Sequence, residues 1–189
     1  MDALKLLTAD HNRVRGLFNQ ARSADEAKNT AELVELSKTI FMELDIHTRI
    51  EEEIFYPEIK NTSEEMKEIV AESLEEHHVV DLLIDEMKAL DPANESWSAK
   101  LTVMMENVEH HAGEEEDDMF PKVRTALGQQ KLEKLAERFE ARKAELGAPT
   151  MADKEQLSTD DLERLARAQE IPGRSKMNRG ELLATVAPE

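Results

Sequence analysis

Apolar residues recur at alternating steps of three and four along four long stretches of this chain, and one histidine interrupts each run. The first run reads Leu4, Leu7, His11, Val14, Phe18, and the second Leu33, Ser37, Ile40, Leu44, His47, Glu51, Ile54. The third reads Val70, Leu74, His77, Asp81, Ile84, and the fourth Leu101, Met104, Val108, His111, Glu115, Met119. That period is the buried stripe of an α-helix. Each helix is therefore expected to turn an imidazole inward where a leucine would ordinarily sit. On the second and fourth stripes a glutamate follows four residues later, still facing in. A buried carboxylate without a partner is costly, and a metal cation in the interior would compensate it.

Turn and cap residues set the boundaries. One helix is expected from about Asp2 to Ser23, and a second from Thr30 to Lys60. A third follows the Thr62-Ser63-Glu64-Glu65 cap and ends near Leu90, before Asp91-Pro92. A fourth runs from Glu95 to Met119-Phe120-Pro121, and a fifth, outer helix from Gln129 to Leu146, closed by Gly147. The expected fold is all-α: an antiparallel up-down four-helix bundle with a fifth outer helix over residues 1–147. A linker at 148–156 follows, then a small helix–loop–helix module at 157–189.

The chain also repeats itself. His47 precedes Glu51 by four residues and Pro57 by ten, and His111 precedes Glu115 and Pro121 by the same steps. Upstream, Asp10-His11 parallels Glu76-His77, each with valine three residues on, at Val14 and Val80. Two equivalent hairpins imply a pseudo-twofold bundle whose ligands converge on its axis, the geometry of two metal ions sharing carboxylates. Residues four apart lie one turn apart on one helix face, so imidazole and carboxylate can reach the same ion or adjacent ions. Four histidines and two glutamates offer a mixed nitrogen and oxygen shell suited to iron or manganese, with positions left for a small ligand. Asp81, four residues after His77, is read as a seventh ligand or as an acceptor that fixes a histidine tautomer.

These segments, Asp10-His11, His47 to Pro57, Glu76-His77 and His111 to Pro121, resemble the hemerythrin-like family of cation-binding domains over about residues 2–125. The resemblance implies a bundle with an oxo- or hydroxo-bridged pair of iron ions, with His11, His47, His77 and His111 as terminal ligands and Glu51 and Glu115 as bridges. It also implies a small partner: dioxygen, nitric oxide or peroxide, bound, sensed or detoxified. Oxygen carriers of the family place two histidines four apart on the third helix. Here the second position is Asp81, a departure that favours redox chemistry or sensing over reversible carriage. Metal-responsive regulation and iron storage or buffering stand as alternatives.

The remaining features are read as structural. His78 and His110 sit one residue off the stripes, turned about 100° away. Tyr56 is assigned to packing near a helix end, with a supporting or redox role beside the ligands as the alternative. Pro57 and Pro121 are expected to end or kink their helices. The C-terminal stretch, with Leu157 to Leu165, Ile171 to Met177 and Glu181-Leu182-Leu183, resembles the helix–loop–helix module at the start of transcription terminator Rho. Its Arg174, Lys176 and Arg179 could meet phosphates, but the chain as a whole carries a formal net charge of -18, which repels nucleic acid and anionic membrane. With no cysteine there is no thiolate ligand or nucleophile. No glycine-rich phosphate loop or serine triad is present, and no apolar run reaches membrane length. A cytoplasmic location is the expectation.

Overall fold

The computed structural model describes residues 1–148, 159–168 and 171–186, and every regular element among them is helical. Helix α1 spans Ala3–Glu26, capped by the Asp2 carboxylate, which accepts from the Lys5 amide. Helix α2 spans Thr30–Ile50, passes through a π turn at Glu51–Phe55, and resumes as the short α3, Tyr56–Ile59. Helix α4, Glu64–Ala89, starts on Ser63, whose hydroxyl accepts from Met66. Helix α5, Glu95–Glu114, passes through a second π turn, Glu115–Met119, into α6, Phe120–Leu127. Gly128, at φ +71, turns the chain sharply into α7, Gln129–Glu145.

Pro57 and Pro121 therefore do not end their helices. Each stands in the first turn of the α segment that follows a π turn. A proline ring collides with the carbonyl four residues back in a plain α-helix and has no N–H to donate. The wider turn before it relieves both, with Tyr56 and Phe120 donating to the Glu51 and Glu115 carbonyls instead.

Helix α1 packs along α2, and α4 along α5; α1 also touches α5, and α7 lies across α1, α2 and the first π turn. Two apolar clusters result. One joins Leu4, Leu7, Ile50, Phe55 and Val70 to Leu132, Leu135 and Phe139 of α7. The other joins Val14, Phe18, Ile40, Leu44, Ile84, Trp97 and Met104. The four stripe histidines lie between them in sequence and in space. Trp97 closes the second hairpin by donating to the Met87 carbonyl at 3.1 Å.

The third stripe is offset from its expected register. Ser73 and Val80 face inward, while Leu74 and Asp81 are exposed. Both registers keep the three-four period. The inward choice puts apolar Val80, not a carboxylate, against the core and leaves small Ser73 near Tyr56, its hydroxyl folded onto the Ile69 carbonyl.

At the C-terminal end, α8, Thr159–Ala168, a 3₁₀ turn at Arg174–Lys176, and α9, Arg179–Thr185, enclose a small core of Leu162, Ala166, Ile171, Leu182, Leu183 and Val186. Asn178 and Glu181 form a capping box. Helix α9 packs on α1, with Lys5 donating to Glu181 at 3.4 Å. Apart from Ala148, the expected linker at 148–156 lies outside the described residues, as do Leu157 and Ser158.

Candidate metal centre

All six residues His11, His47, Glu51, His77, His111 and Glu115 are buried, and they come together. The Nε2 atoms of His11 and His47 are 3.1 Å apart, as are those of His77 and His111. Nitrogens that close need a proton or a cation between them. Glu51 lies across both pairs, 3.2 Å from His47 and 3.4 Å from His77. Glu115 does the same from the other side, 3.4 Å from His11 and 3.8 Å from His111. Donor atoms of His11, His47, Glu51 and Glu115 form one compact group, and those of Glu51, His77 and His111 another. Glutamates of both hairpins thus span the halves, as bridging ligands must.

The outward nitrogens repeat the symmetry. His77 Nδ1 faces Glu52 at 2.9 Å and His11 Nδ1 faces Glu116 at 2.7 Å. His111 Nδ1 faces Glu76 at 2.7 Å, and His47 Nδ1 faces Asp10 at 3.6 Å. An Nδ1–H donating to a carboxylate presents Nε2 with a free lone pair to the centre, the tautomer a metal needs. These four carboxylates are adjacent in sequence to the proposed ligands, and the repeat marked their positions. Their function could have been read from the fact that both halves double the acid after the glutamate and place an acid before the histidine.

Electrostatics indicate that the site is built for positive charge. The two Glu51 oxygens and Glu115 Oε2 are buried and accept no hydrogen bond, which is costly unless a cation satisfies them. Burial works against the Glu51 carboxylate, but His47 and His77 hold it well below its ordinary value. Burial likewise opposes a charged His47, yet Glu51 and Asp10 push it up to about 10. In the metal-free protein, protons do the work that a cation does in the loaded one.

Tyr56 belongs to the centre and is not merely packing near a helix end. Its hydroxyl donates to Glu115 Oε1 at 3.1 Å and lies 3.4 Å from His77 Nε2, with its ring stacked on the imidazole. Burial, then Glu51 and Glu115, push its pKa well up, so it is a neutral donor. Its counterpart in the repeat, Phe120, stacks on His11 and brings no hydroxyl. Asp81 stays out. It is exposed on α4 and belongs to neither donor group, because Val80 takes the inward position.

Beside the four imidazoles lies a small apolar cavity of about 30 Å³, walled in part by Val14, Phe18, Leu44, Val80 and Val108. That is room for a molecule of a few atoms.

The hemerythrin HHE cation binding domain matches residues 2–123. An uncharacterised protein of Mycobacterium tuberculosis (strain ATCC 25618 / H37Rv) is 33% identical over 155 residues, covering 79% of this chain and 90% of its own length. A protein of Mycobacterium bovis matches to the same extent. A DNA nickase of Nostoc sp. is 24% identical over 146 residues, 77% of this chain, but the match spans only 40% of the nickase. No solved structure matches the chain.

Proposed function

The chain belongs to the hemerythrin HHE cation-binding family, and from that premise we propose that α1, α2, α4 and α5 form an antiparallel four-helix bundle around two non-haem iron ions. His11 and His47 would hold one ion and His77 and His111 the other, with Glu51 and Glu115 shared. Manganese suits the same donors. The centre then binds or reacts with dioxygen, nitric oxide or peroxide, to sense or to detoxify it.

The observation that carries this reading is the small apolar cavity opening on the imidazoles. A diatomic molecule or peroxide fits it, and an organic substrate does not. Iron, when bound, supplies redox capacity and open coordination positions. The chain's own residues do the rest. Val14, Phe18, Leu44, Val80 and Val108 exclude bulk water. Asp10, Glu52, Glu76 and Glu116 keep the imidazoles facing inward. Tyr56 holds a proton at the Glu115 and His77 end. Protein from iron-replete cells should carry about two iron atoms per chain and show visible absorption that changes with dioxygen, nitric oxide or peroxide. A colourless, metal-free product sinks the reading.

A second reading, a metal-responsive regulator or iron buffer, draws on the packing of α9 against α1, the helix that carries His11. A partner of the C-terminal helices could then sense the centre. Nucleic acid is a poor candidate at a net charge of -18, so the nickase relative's activity gives no lead here. Among the described residues no helix is long and apolar enough to cross a membrane. Retention of DNA by the full-length protein at physiological salt would revive the nucleic-acid version.

A further inference from the structure

The two halves of the repeat also differ on the flank of the centre beside the histidine that follows Asp10 or Glu76. In the first half, the residues eight, five and four before His11 are Ala3, Leu6 and Leu7. Those three, seven and eight after His47 are Ile50, Ile54 and Phe55. All six are buried, and α7 covers them. The equivalent positions in the second half are Ile69, Glu72 and Ser73, then Glu114, Asp118 and Met119. Among the described residues no helix covers Glu72, Glu114 and Asp118, which are exposed. They line a recess of about 220 Å³ that reaches from the surface to Glu76, His111 and Glu115.

The first flank also contains a cation of its own. Lys143 of α7 donates to Asp10 at 2.6 Å, and Asp10 in turn faces His47. On the second flank Glu76 stands where Asp10 stands and faces His111 in the same way. In place of a lysine it has His110 and Glu114 beside it, and donor atoms of Glu76, His110 and Glu114 lie within 4.8 Å of one another. At the inner end of the recess is Glu115, 1% exposed, whose Oε2 accepts no hydrogen bond. Asp118 pairs with Lys122, and Glu72, Glu76 and Glu114 remain as carboxylates of the recess, Glu76 bonded to His111 and Glu114 facing His110.

We propose that this recess is the route by which a divalent cation reaches the centre, with Glu76, His110 and Glu114 as its first holding site, and that α7 with Lys143 seals the equivalent route on the other half. Two carboxylates and one imidazole form an adequate, weak site for ferrous iron or manganese. Carboxylates along the path concentrate cations at its mouth. The inner ligands, Glu115 and His111, are within reach of the same recess, so a cation passes from an exposed N/O site to a buried one without crossing the apolar cavity.

This inference rests on the metal-centre reading, and the test separates them. Metal-free full-length protein is mixed anaerobically with ferrous iron, and uptake is followed by competition with a chromogenic ferrous chelator. In the wild type the rate should fall with added salt. His110→Ala with Glu114→Gln should slow uptake about tenfold while the final iron content stays that of the wild type. Glu114→Lys, which puts an ammonium where Lys143 lies on the sealed side, should slow it further. Glu35→Gln, a charge change on exposed α2 surface, should leave the rate within about twofold. Unchanged rates in both recess variants, or reduced final iron in place of slow loading, overturn the route. A wild type that takes up no iron overturns the centre itself.

Discussion

The two hairpins carry the same inner donors and the same outward carboxylates, and differ in what lies over them. The first hairpin is enclosed: its flank is apolar, α7 lies over it, and Lys143 neutralises Asp10. The second is open and acidic at its flank, and its His77 meets the hydroxyl of Tyr56 from the first hairpin, where His11 meets the plain ring of Phe120 from the second. Symmetry therefore stops at the ligands and their carboxylates. The inner residues match because each half supplies two imidazoles and a glutamate to one donor cluster, whereas the outer residues are free to divide labour between stability and access. Each prediction below alters one side of this contrast.

The largest effect is expected where the halves are not independent. Glu51 lies within reach of histidines from both hairpins, so Glu51→Ala should cost more than the one ion its own half contributes. Metal content is expected to fall from about two ions per chain to fewer than one. The rise in melting temperature that accompanies metal loading should disappear with it. Loss of only one ion, with the other held tightly, would show that each hairpin binds its metal alone and that the glutamates are not shared.

How much of this was legible follows from which residues carry a period. The four inward histidines and both glutamates could be read because each replaces an apolar residue on a helical stripe, and the repeat states the pattern twice. Asp81 misled because Val70-Leu74-His77-Asp81 and Val70-Ser73-His77-Val80 are both valid three-four stripes. Only packing against α5 and Tyr56 chooses between them. The π turns left no mark beyond the prolines, since hydrogen-bond spacing is not written in side-chain polarity. Lys143 and Tyr56 were hidden for another reason: their partners lie 133 and 59 residues away in sequence, and no local pattern predicts such meetings.

Phe139→Ala tests the seal on the first hairpin. Its ring is fully buried and meets Phe55 edge to face at 6.2 Å. Truncation should cost about 3–5 kcal/mol, read as a lower urea midpoint of the metal-free protein. A loss below about 1 kcal/mol would mean that α7 is a loose appendage and not part of the first half's core.

Lys143→Met should cost about 3 kcal/mol at pH 7, because it leaves the half-buried Asp10 without its cation. Burial raises the Asp10 pKa, but Lys143 and His47 outweigh it and hold the carboxyl well below the ordinary carboxylate range. A depressed folded pKa contributes stability above the unfolded value, and that contribution is lost as pH falls through the folded one. The gap between wild type and variant should therefore be full at pH 6–7 and narrow progressively below about pH 4. A gap that widens in acid would mean Lys143 acts through packing of its stem and not through Asp10.

The smallest change concerns the hydroxyl that breaks the symmetry. Tyr56→Phe makes the two halves alike at that position and removes a hydrogen bond to the Glu115 carboxylate, worth about 1.5 kcal/mol. A sharper measurement leaves the residue in place. The chain has one tyrosine, so phenolate absorbance near 295 nm belongs to Tyr56 alone. Burial and the facing carboxylates raise its pKa well above the ordinary tyrosine value, so the folded metal-free protein should show little phenolate at pH 10, whereas the chain in urea should be about half ionised there. Folded protein that ionises at the ordinary pH would place the hydroxyl in water and remove Tyr56 from the centre. Phe120→Tyr, which sets a phenol against His11 of the first half, should then reveal whether the second half's access or the phenol beside its His77 makes the two sides unequal.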